Sequence, residues 1–183
     1  MMEPVTTDPK GESRYESANT SALVKQQTSM EMASYITGFI DGEGSFLVSF
    51  SKRPTLKMGI EVRPSFSVSQ HERSRAVLHK VQHYFRCGTI RYDGHDQTYK
   101  FEVRSLQNLL RHIIPHFQQY SLQTAKALDF VRFTTVCTKM HAGQHRTLEG
   151  IEEILRLGYS MNNHGARRFQ LSELLTIVDK MKV

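Results

Sequence analysis

The chain has 183 residues, which is enough to bury one sizeable core and favours a single domain. Its formal net charge of +6 indicates either a partner rich in phosphate or a basic solvated surface. Two cysteines outside any Cys-x-x-Cys pattern argue against a disulfide framework or a thiolate zinc site. No apolar run reaches membrane-spanning length and the N-terminus lacks the features of a signal or transit peptide, so no membrane partner is expected.

The N-terminal residues 1–28 are rich in Ser, Thr, Glu, Lys and Pro and have few large apolar side chains. Such a segment buries too little surface to offset the entropy of ordering, so a disordered extension is predicted there. Thr28-Ser29-Met30-Glu31 then has the form of a capping box. A first helix is predicted from about Ser29 to Asp41, at the start of a folded domain that covers 29–183. Its apolar stripe has helical spacing and consists of Met32, Tyr35, Ile36, Phe39 and Ile40.

Two strands are predicted next, because apolar and polar residues alternate in both. The first strand starts after Gly44, and its apolar face consists of Phe46, Val48 and Phe50. The second runs from Ile60 to Ser69, with Ile60, Val62, Phe66 and Val68 on its apolar face. Pro64 cannot donate a ladder hydrogen bond, so it predicts a bulge or an edge position.

A second helix is predicted from about Glu72 to Phe85, and a hairpin with Asp93-Gly94 near its tip over 89–103. Ser105 and Ser121 are predicted to cap two further helices, of which the first ends before Pro115. A C-terminal helical region is predicted from about residue 139, with helices over Thr147–Leu157 and Ser172–Met181. The predicted stripes are Val77, Val81 and Tyr84 in the second helix, and Leu122, Ala125, Leu128 and Val131 in the helix after Ser121.

The first helix ends in the segment Ile36-Thr37-Gly38-Phe39-Ile40-Asp41-Gly42-Glu43-Gly44, where alternating glycines and carboxylates follow an apolar run. An isolated Asp-Gly-Glu-Gly would indicate only a turn. Glycine inside a helix costs about 1 kcal/mol relative to alanine, so Gly38 indicates the close approach of a second helix. The segment resembles the motif of the LAGLIDADG homing endonucleases, with Glu where Asp is usual, Ile for the first Leu and Thr for Ala. The predicted element order, helix, two strands, helix, two strands, helix, extends this resemblance over about 29–137.

The resemblance implies an α+β fold of αββαββα order with a saddle-shaped antiparallel sheet, to which this chain adds C-terminal helices. It also implies that two such motif helices pack together, through Ile36, Gly38 and Phe39 in this sequence. Glu43 stands where the family has the acid that binds divalent metal beside the scissile phosphates. Magnesium, with manganese as a substitute, would be held by Glu43, the Gly42 carbonyl and phosphate oxygens. Asp41 is expected to support the turn through its side-chain oxygens.

The resemblance assigns catalytic roles to two further residues. Gln70 follows the second strand, where the family often has a polar residue that positions the attacking water. Lys126 lies in the stretch where the family has a basic residue that stabilises the reacting phosphate, although an ordinary exposed lysine on a capped helix fits equally well.

In the family fold the polar face of the sheet lies in the DNA major groove, whereas the alternative is a face that meets only solvent. Leu47 interrupts this face on the first strand and offers no hydrogen bond. The residues predicted to contact DNA are Ser45, Ser49, Lys52, Arg53, Arg63, Ser65, Ser67, Ser69, Arg91 and Lys100.

These features predict a site-specific DNA endonuclease that makes double-strand breaks during intron or intein homing. One motif supplies one of the two acids that the family's paired site uses, so a homodimer and a long pseudo-palindromic target are expected. The compartment is expected to be a bacterial cytoplasm, a chloroplast or a mitochondrion, wherever the gene is encoded. The alternative is an intron RNA maturase or a non-cleaving DNA-binding protein of the same fold.

Overall fold

The computed structural model describes residues 9–162 and 167–181, with side chains described from residue 26 onward. The chain divides into two compact units, of which the first ends at Ile36 and the second is Thr37–Val183. The first unit contains the first part of helix α1, and the second contains the sheet and all later helices. None of the described helices is long and apolar enough to cross a membrane.

The first half of the chain has the predicted order of one helix, two strands, one helix and two strands, and the second half is helical. The elements of the first half are α1 (Pro9–Glu43), β1 (Gly44–Lys52), β2 (Ile60–His71), α2 (Arg75–Phe85), β3 (Thr89–Asp93) and β4 (Thr98–Val103). They are followed by α3 (Leu106–Asn108), a π-helical turn (Leu109–Ile113), α4 (Ile114–Gln119), α5 (Lys126–His141), α6 (Leu148–Tyr159) and α7 (Leu171–Asp179). Short 3₁₀ turns precede α2 at Glu72–Ser74 and α6 at Gln144–Arg146.

The four strands form one antiparallel sheet in the order β1-β2-β4-β3. Side chains alternate between its two faces, and α2, α5 and α6 pack on the apolar face. Phenylalanines from the sheet and from the helices meet there in one aromatic cluster. Its members are Phe46, Phe66, Phe85, Phe101, Phe117, Phe130 and Phe133. The described helices α2, α5 and α6 therefore cover the apolar side of the sheet.

The edge strand β1 is closed by side chains. Asn162 Nδ2 donates to the Phe46 carbonyl at 2.7 Å, and Arg167 Nη1 donates to the Val48 carbonyl at 3.2 Å. Val48 pairs with Pro64 in an uninterrupted register, so the predicted bulge is absent. The pairing of β2 with β4 begins only at Phe66, so Pro64 lies where β2 has β1 as its one partner. The predicted edge position explains why its missing N–H is tolerated.

Three predicted helix boundaries are wrong. Helix α1 already begins at Pro9, so Ser29 is not its start, and 9–28 of the segment predicted to be disordered have helical backbone. Residues 1–8 of that segment lie outside the described residues. This helix satisfies its own backbone hydrogen bonds, while the composition of 1–28 still predicts little buried surface there. The helix capped by Ser105 does not stop before Pro115, because Pro115 lies in the first turn of α4, where its missing N–H is not needed.

The predicted start of α5 at Ser121 is the third error, because α5 begins at Lys126 and Ser121 caps nothing there. Of the stripe predicted after Ser121, Leu122 is buried, but Leu128 and Val131 are 62% and 60% exposed, so that part of the prediction is wrong. Phe130, Phe133, Val136 and Cys137 are buried instead. In α2 the fully buried residues are Leu78, Val81 and Phe85 rather than Val77 and Tyr84, which are half-buried.

Candidate functional site

The junction between α1 and β1 is a tight turn that depends on Gly44. A Cβ atom at Gly44 would stand 2.5 Å from Cγ2 of Ile40 and 2.8 Å from its carbonyl oxygen. The chain can therefore pass directly from the helix into the strand only without a side chain here. This turn leaves Gly42 and Glu43 exposed at the end of the helix.

The Asp41 carboxylate fastens this junction to the segment before α5. It accepts hydrogen bonds from the backbone N–H of Gln123 at 2.8 Å and of Thr124 at 3.1 Å, and from the Thr124 hydroxyl at 2.6 Å. Burial alone would raise the pKa of Asp41, but the Thr124 and Gln123 hydrogen bonds and the Lys126 charge outweigh it and lower that pKa. Asp41 thus supports the turn through its side-chain oxygens, as expected, and its partners lie 82 and 83 residues later in the chain.

Lys126 lies across the carboxyl end of α1. Its Nζ donates to the Ile40 carbonyl at 2.9 Å and to the Gly42 carbonyl at 3.3 Å. Carbonyl groups at the end of a helix have no partner within the helix and carry partial negative charge, so an ammonium group is stabilised there. Partial burial lowers the pKa of Lys126, and the charges of Asp41 and Glu43 oppose that shift. The interpretation as an ordinary surface lysine does not account for these contacts.

Glu43 lies beside Gln70, whose Nε2 donates to the Glu43 carboxylate at 3.4 Å. The structure thus brings Glu43, Gln70 and Lys126 together, although they are far apart in sequence. No group of three or more His, Cys, Asp or Glu side chains that could hold a metal is found among the described residues. One exposed carboxylate, one backbone carbonyl and room for outside oxygens fit a hard cation that keeps water or phosphate ligands, such as magnesium.

Two glycines of the motif have no packing reason among the residues that the structure describes. A Cβ atom at Gly38 or at Gly42 would meet nothing within 4 Å, and both residues are exposed. Phe39 beside Gly38 is half-buried. Ile36 was predicted to contact a second copy, but its side chain is fully buried within the chain and leaves no surface for a partner. A second helix could therefore reach Gly38 and Phe39, and not Ile36.

The predicted DNA-binding residues do not all lie on an accessible polar face. Ser45, Ser49, Arg63, Ser69, Arg91 and Lys100 lie on the strands with the polar parity, and Arg53 lies in the β1–β2 turn. Ser65 and Ser67 have that parity too but are only 8% exposed, so little of either side chain is accessible on the polar face, and their contact with DNA stays a prediction. Their side chains are shorter than those opposite them, Leu47 and Glu102.

Lys52 also does not belong to the polar face. It pairs with Ile60 on the apolar parity, and its Nζ lies 3.6 Å from the carboxylate of Glu173 in α7. The same ammonium group stands 4.6 Å from the centre of the Phe169 ring. Sequence alternation placed Lys52 in a basic turn, whereas the strand in fact continues to this residue and turns its side chain to the helical side.

The polar face contains two glutamates that the sequence analysis did not single out. Glu61 accepts from Arg63 at 2.5 Å and from Arg53 at 3.0 Å, and these hydrogen bonds, that of Arg63 above all, lower the pKa of Glu61. Glu102 is only 4% exposed in its side chain and is bonded to Arg91, Lys100 and Arg104. The alternation in β2 and β4 is enough to predict that both glutamates lie on the polar face. Which basic residues surround them can be seen only in the three-dimensional structure.

An acid at a helix–strand junction, beside a four-stranded antiparallel sheet with one polar face, defines an α+β protein of the homing endonuclease fold. The chain belongs to the LAGLIDADG endonuclease family, which it matches over residues 36–137.

Three similar proteins illustrate this membership. A protein named probable intron-encoded endonuclease 2 of Neurospora crassa is 41% identical over 130 residues, or 70% of this chain and 29% of that protein. The archaeal intron-encoded homing endonuclease I-Vdi141I, solved in complex with DNA, is 28% identical with a TM-score of 0.76, over 82% of this chain and 96% of that chain. The I-LtrWI LAGLIDADG homing endonuclease bound to target DNA is 30% identical with a TM-score of 0.73, over 76% of this chain and 47% of that chain. The present chain thus spans less than a third of the length of the Neurospora relative.

Proposed function

We propose that this protein is a magnesium-dependent, site-specific DNA endonuclease that acts as a homodimer on a long pseudo-palindromic target in intron or intein homing. The observation that carries the proposal is the convergence of Glu43, Gln70 and Lys126 at the carboxyl end of α1, next to a polar sheet face. Its double-stranded DNA substrate fits the arginines and lysine on that face. The compartment is that of the genome that contains the gene, an organelle or a bacterial cytoplasm.

The residues at the end of α1 have separate roles in this proposal. Glu43 would supply the carboxylate that holds the metal, and the neighbouring Gly42 carbonyl would be the second protein oxygen. That carbonyl accepts from Lys126 at 3.3 Å, so with metal bound Lys126 would keep mainly its shorter contact with the Ile40 carbonyl. The metal, magnesium or manganese in its place, would supply positive charge at the scissile phosphate and lower the pKa of water. Gln70 orients both the Glu43 carboxylate and the attacking water by its amide. Lys126, held by two helix-end carbonyls, places a positive charge where charge develops on the phosphate.

The homodimer is supported by the glycines that the chain itself does not need. Gly38 gives up about 1 kcal/mol of helix propensity relative to alanine, and a Cβ atom there would meet nothing within 4 Å in the described part of the chain. A second copy of α1 could approach there and bring a second Glu43 near the first. The fold of this chain also covers nearly all of I-Vdi141I but about half of I-LtrWI, as expected if two copies of this unit make a full site.

The test is a cleavage selection on a large library of double-stranded DNA with magnesium, with manganese and with chelator. The wild type should cut one long pseudo-palindromic sequence in either metal and nothing in chelator. Glu43→Gln should bind that sequence with little loss and leave it uncut. The control is Glu153→Gln, which removes one charge at an ion pair with Lys139 on the helical side and should cut like the wild type.

Two outcomes would contradict the proposal. If Glu43→Gln cuts as well as the wild type, Glu43 is not the metal-binding acid. If the wild type enriches a DNA sequence and never cuts it, the chain is a DNA-binding protein without nuclease activity, and affinity for intron RNA would then identify a maturase.

A further inference from the structure

The buried carboxylate of Glu102 is placed unusually for a surface that meets DNA. Glu102 lies on the polar parity of β4, opposite Ser67 of β2 and Thr89 of β3. Its Oε2 accepts a hydrogen bond from Arg91 and lies 2.9 Å from Nε of Arg104 in an ion pair, while Lys100 Nζ stands 3.6 Å from Oε1. A lone acid on this face would weaken attraction to phosphate. An acid bonded to three cations instead fixes the directions in which those cations point.

The second glutamate on the polar face, Glu61, is also paired with cations, in this case two arginines. Glu61 lies on the polar parity of β2, and its Oε2 accepts from Arg63 at 2.5 Å and from Arg53 at 3.0 Å. The side chains of both arginines remain about half exposed. Each acid thus occupies a few N–H groups of its arginines and leaves the rest of the five donors of each guanidinium free for another acceptor.

The two groups lie at separate places along the sheet. Glu61 and Ser67 are both on β2, six residues apart, and Ser67 is the direct neighbour of Glu102. At about 3.3 Å per residue, the two glutamates are about 20 Å apart along the strand direction. A DNA strand covers that length in about six base pairs.

Resting on the proposed function, we propose that Glu61 and Glu102 are positioning residues for base recognition, each of which orients arginines toward base edges at its own end of the polar face. Arginine reads guanine by two parallel hydrogen bonds, which require a fixed guanidinium plane. A free arginine on a strand samples many rotamers, and ordering it on binding has an entropic cost. A carboxylate that holds Arg91 or Arg63 before DNA arrives removes part of that cost. The negative charge reduces general phosphate attraction and therefore also penalises wrong sequences.

The orienting effect and the charge effect predict opposite changes in selectivity and in general DNA affinity, which a simple loss of binding does not. Glu102→Gln keeps the size of the side chain and removes its charge. Affinity for a short duplex of mixed sequence should rise, and its dependence on salt should steepen, because three cations are released. Selectivity at the base pairs read by Arg91 and its neighbours should fall about tenfold. A variant that had only lost its fold would instead show lower affinity and lower selectivity together.

The measurement is a binding selection on randomised double-stranded DNA, with sequencing of the bound pool, for wild type, Glu61→Gln, Glu102→Gln and Glu153→Gln. Each of the two polar-face variants should relax its own cluster of positions, with the clusters about six base pairs apart in each half-site. Glu153→Gln makes the same charge change at the Lys139 ion pair away from the face and should leave the preference unchanged.

The outcomes separate this inference from the proposed function. If the wild type enriches no sequence, the proposed function fails and this inference fails with it. If the wild type enriches a site and the two glutamate variants enrich it with the same selectivity, only the positioning role is overturned. If either variant loses selectivity evenly over all positions, its effect is on phosphate contact or on folding, and the positioning role is again overturned.

Discussion

Single side chains at the end of α1 join parts of the chain that are distant in sequence. Asp41 binds residues 123–124, and Lys126 returns to the carbonyls of Ile40 and Gly42. The motif alone identified Glu43 as the exposed acid. The partner of Asp41 could not be predicted, because nothing in the local sequence relates position 41 to a loop 82 residues later.

Asp41→Asn should destabilise the protein by about 1–3 kcal/mol, since hydrogen bonds to a charged group are the stronger kind. The lowered pKa of Asp41 means that its folded form binds protons less readily than its unfolded form. Its stabilising effect is therefore present above the ordinary value of 3.8 and is lost as the pH falls through the lower folded value. Urea unfolding of wild type and variant should give curves that converge at acid pH. Asp129→Asn, at a helix-surface pair with Arg132, should change stability by less than about 0.5 kcal/mol.

His116 gives a prediction at mildly acid pH, above the range in which Asp41 titrates. It is buried between the Thr37 hydroxyl at 3.0 Å and the Tyr84 hydroxyl at 2.9 Å, and burial lowers its pKa to about 4. The unfolded chain takes up this proton near 6.5, so the free energy of unfolding should fall as the pH drops from about 6.5 to 4. His116→Gln should lose this part of the pH dependence in urea unfolding. The exposed His79→Gln should retain it, and a curve for His116→Gln identical to wild type would contradict the assignment.

At the scale of elements, the alternation of apolar residues predicted β1 and β2 and the face on which each is buried, and the turn signal at Asp93-Gly94 predicted the hairpin of β3 and β4. The two-residue alternation is a reliable signal for a strand, because the side chains on its inward face must all be apolar to pack in the core. Helix α5 was harder, since it offers two apolar stripes, and the one with Phe130 and Phe133 is buried because aromatic rings remove more surface from water than Leu128 and Val131. Local spacing cannot rank two stripes without the surface against which they pack.

The glycines of α1 should respond to alanine in opposite directions. Gly44→Ala should destabilise the protein by about 1–3 kcal/mol, because the new methyl group overlaps Ile40. Gly38→Ala should stabilise the isolated chain by up to about 1 kcal/mol, since its Cβ meets nothing and alanine is the better helix former. The same change should weaken the homodimer. Chemical unfolding at low protein concentration measures the stability of the chain, and sedimentation over a concentration series measures dimerisation. Unchanged dimerisation of Gly38→Ala would show that the second helix does not approach Gly38.

At the scale of the whole molecule, the proposed paired site has one Glu43 from each protomer. A dimer with one wild-type chain and one Glu43→Gln chain should therefore cut a single strand of its target and leave a nick. Such mixed dimers can be isolated with two different affinity tags and assayed on a supercoiled plasmid that contains the selected site. Nicked circles should accumulate with little linear product, whereas wild-type dimers should give linear DNA. Linear product from the mixed dimer at the wild-type rate would mean that one acid serves both strands.

The capping of β1 by Asn162 and Arg167 has a consequence for the resistance of the protein to aggregation. A sheet edge with free main-chain acceptors is a template for the strand of another molecule, and that route leads to amyloid-like polymers. Here two side chains from the far end of the sequence satisfy the Phe46 and Val48 acceptors without adding a strand. The segment between α6 and α7 thus also shields two acceptors of this edge from self-templated assembly, a task that has no connection with DNA.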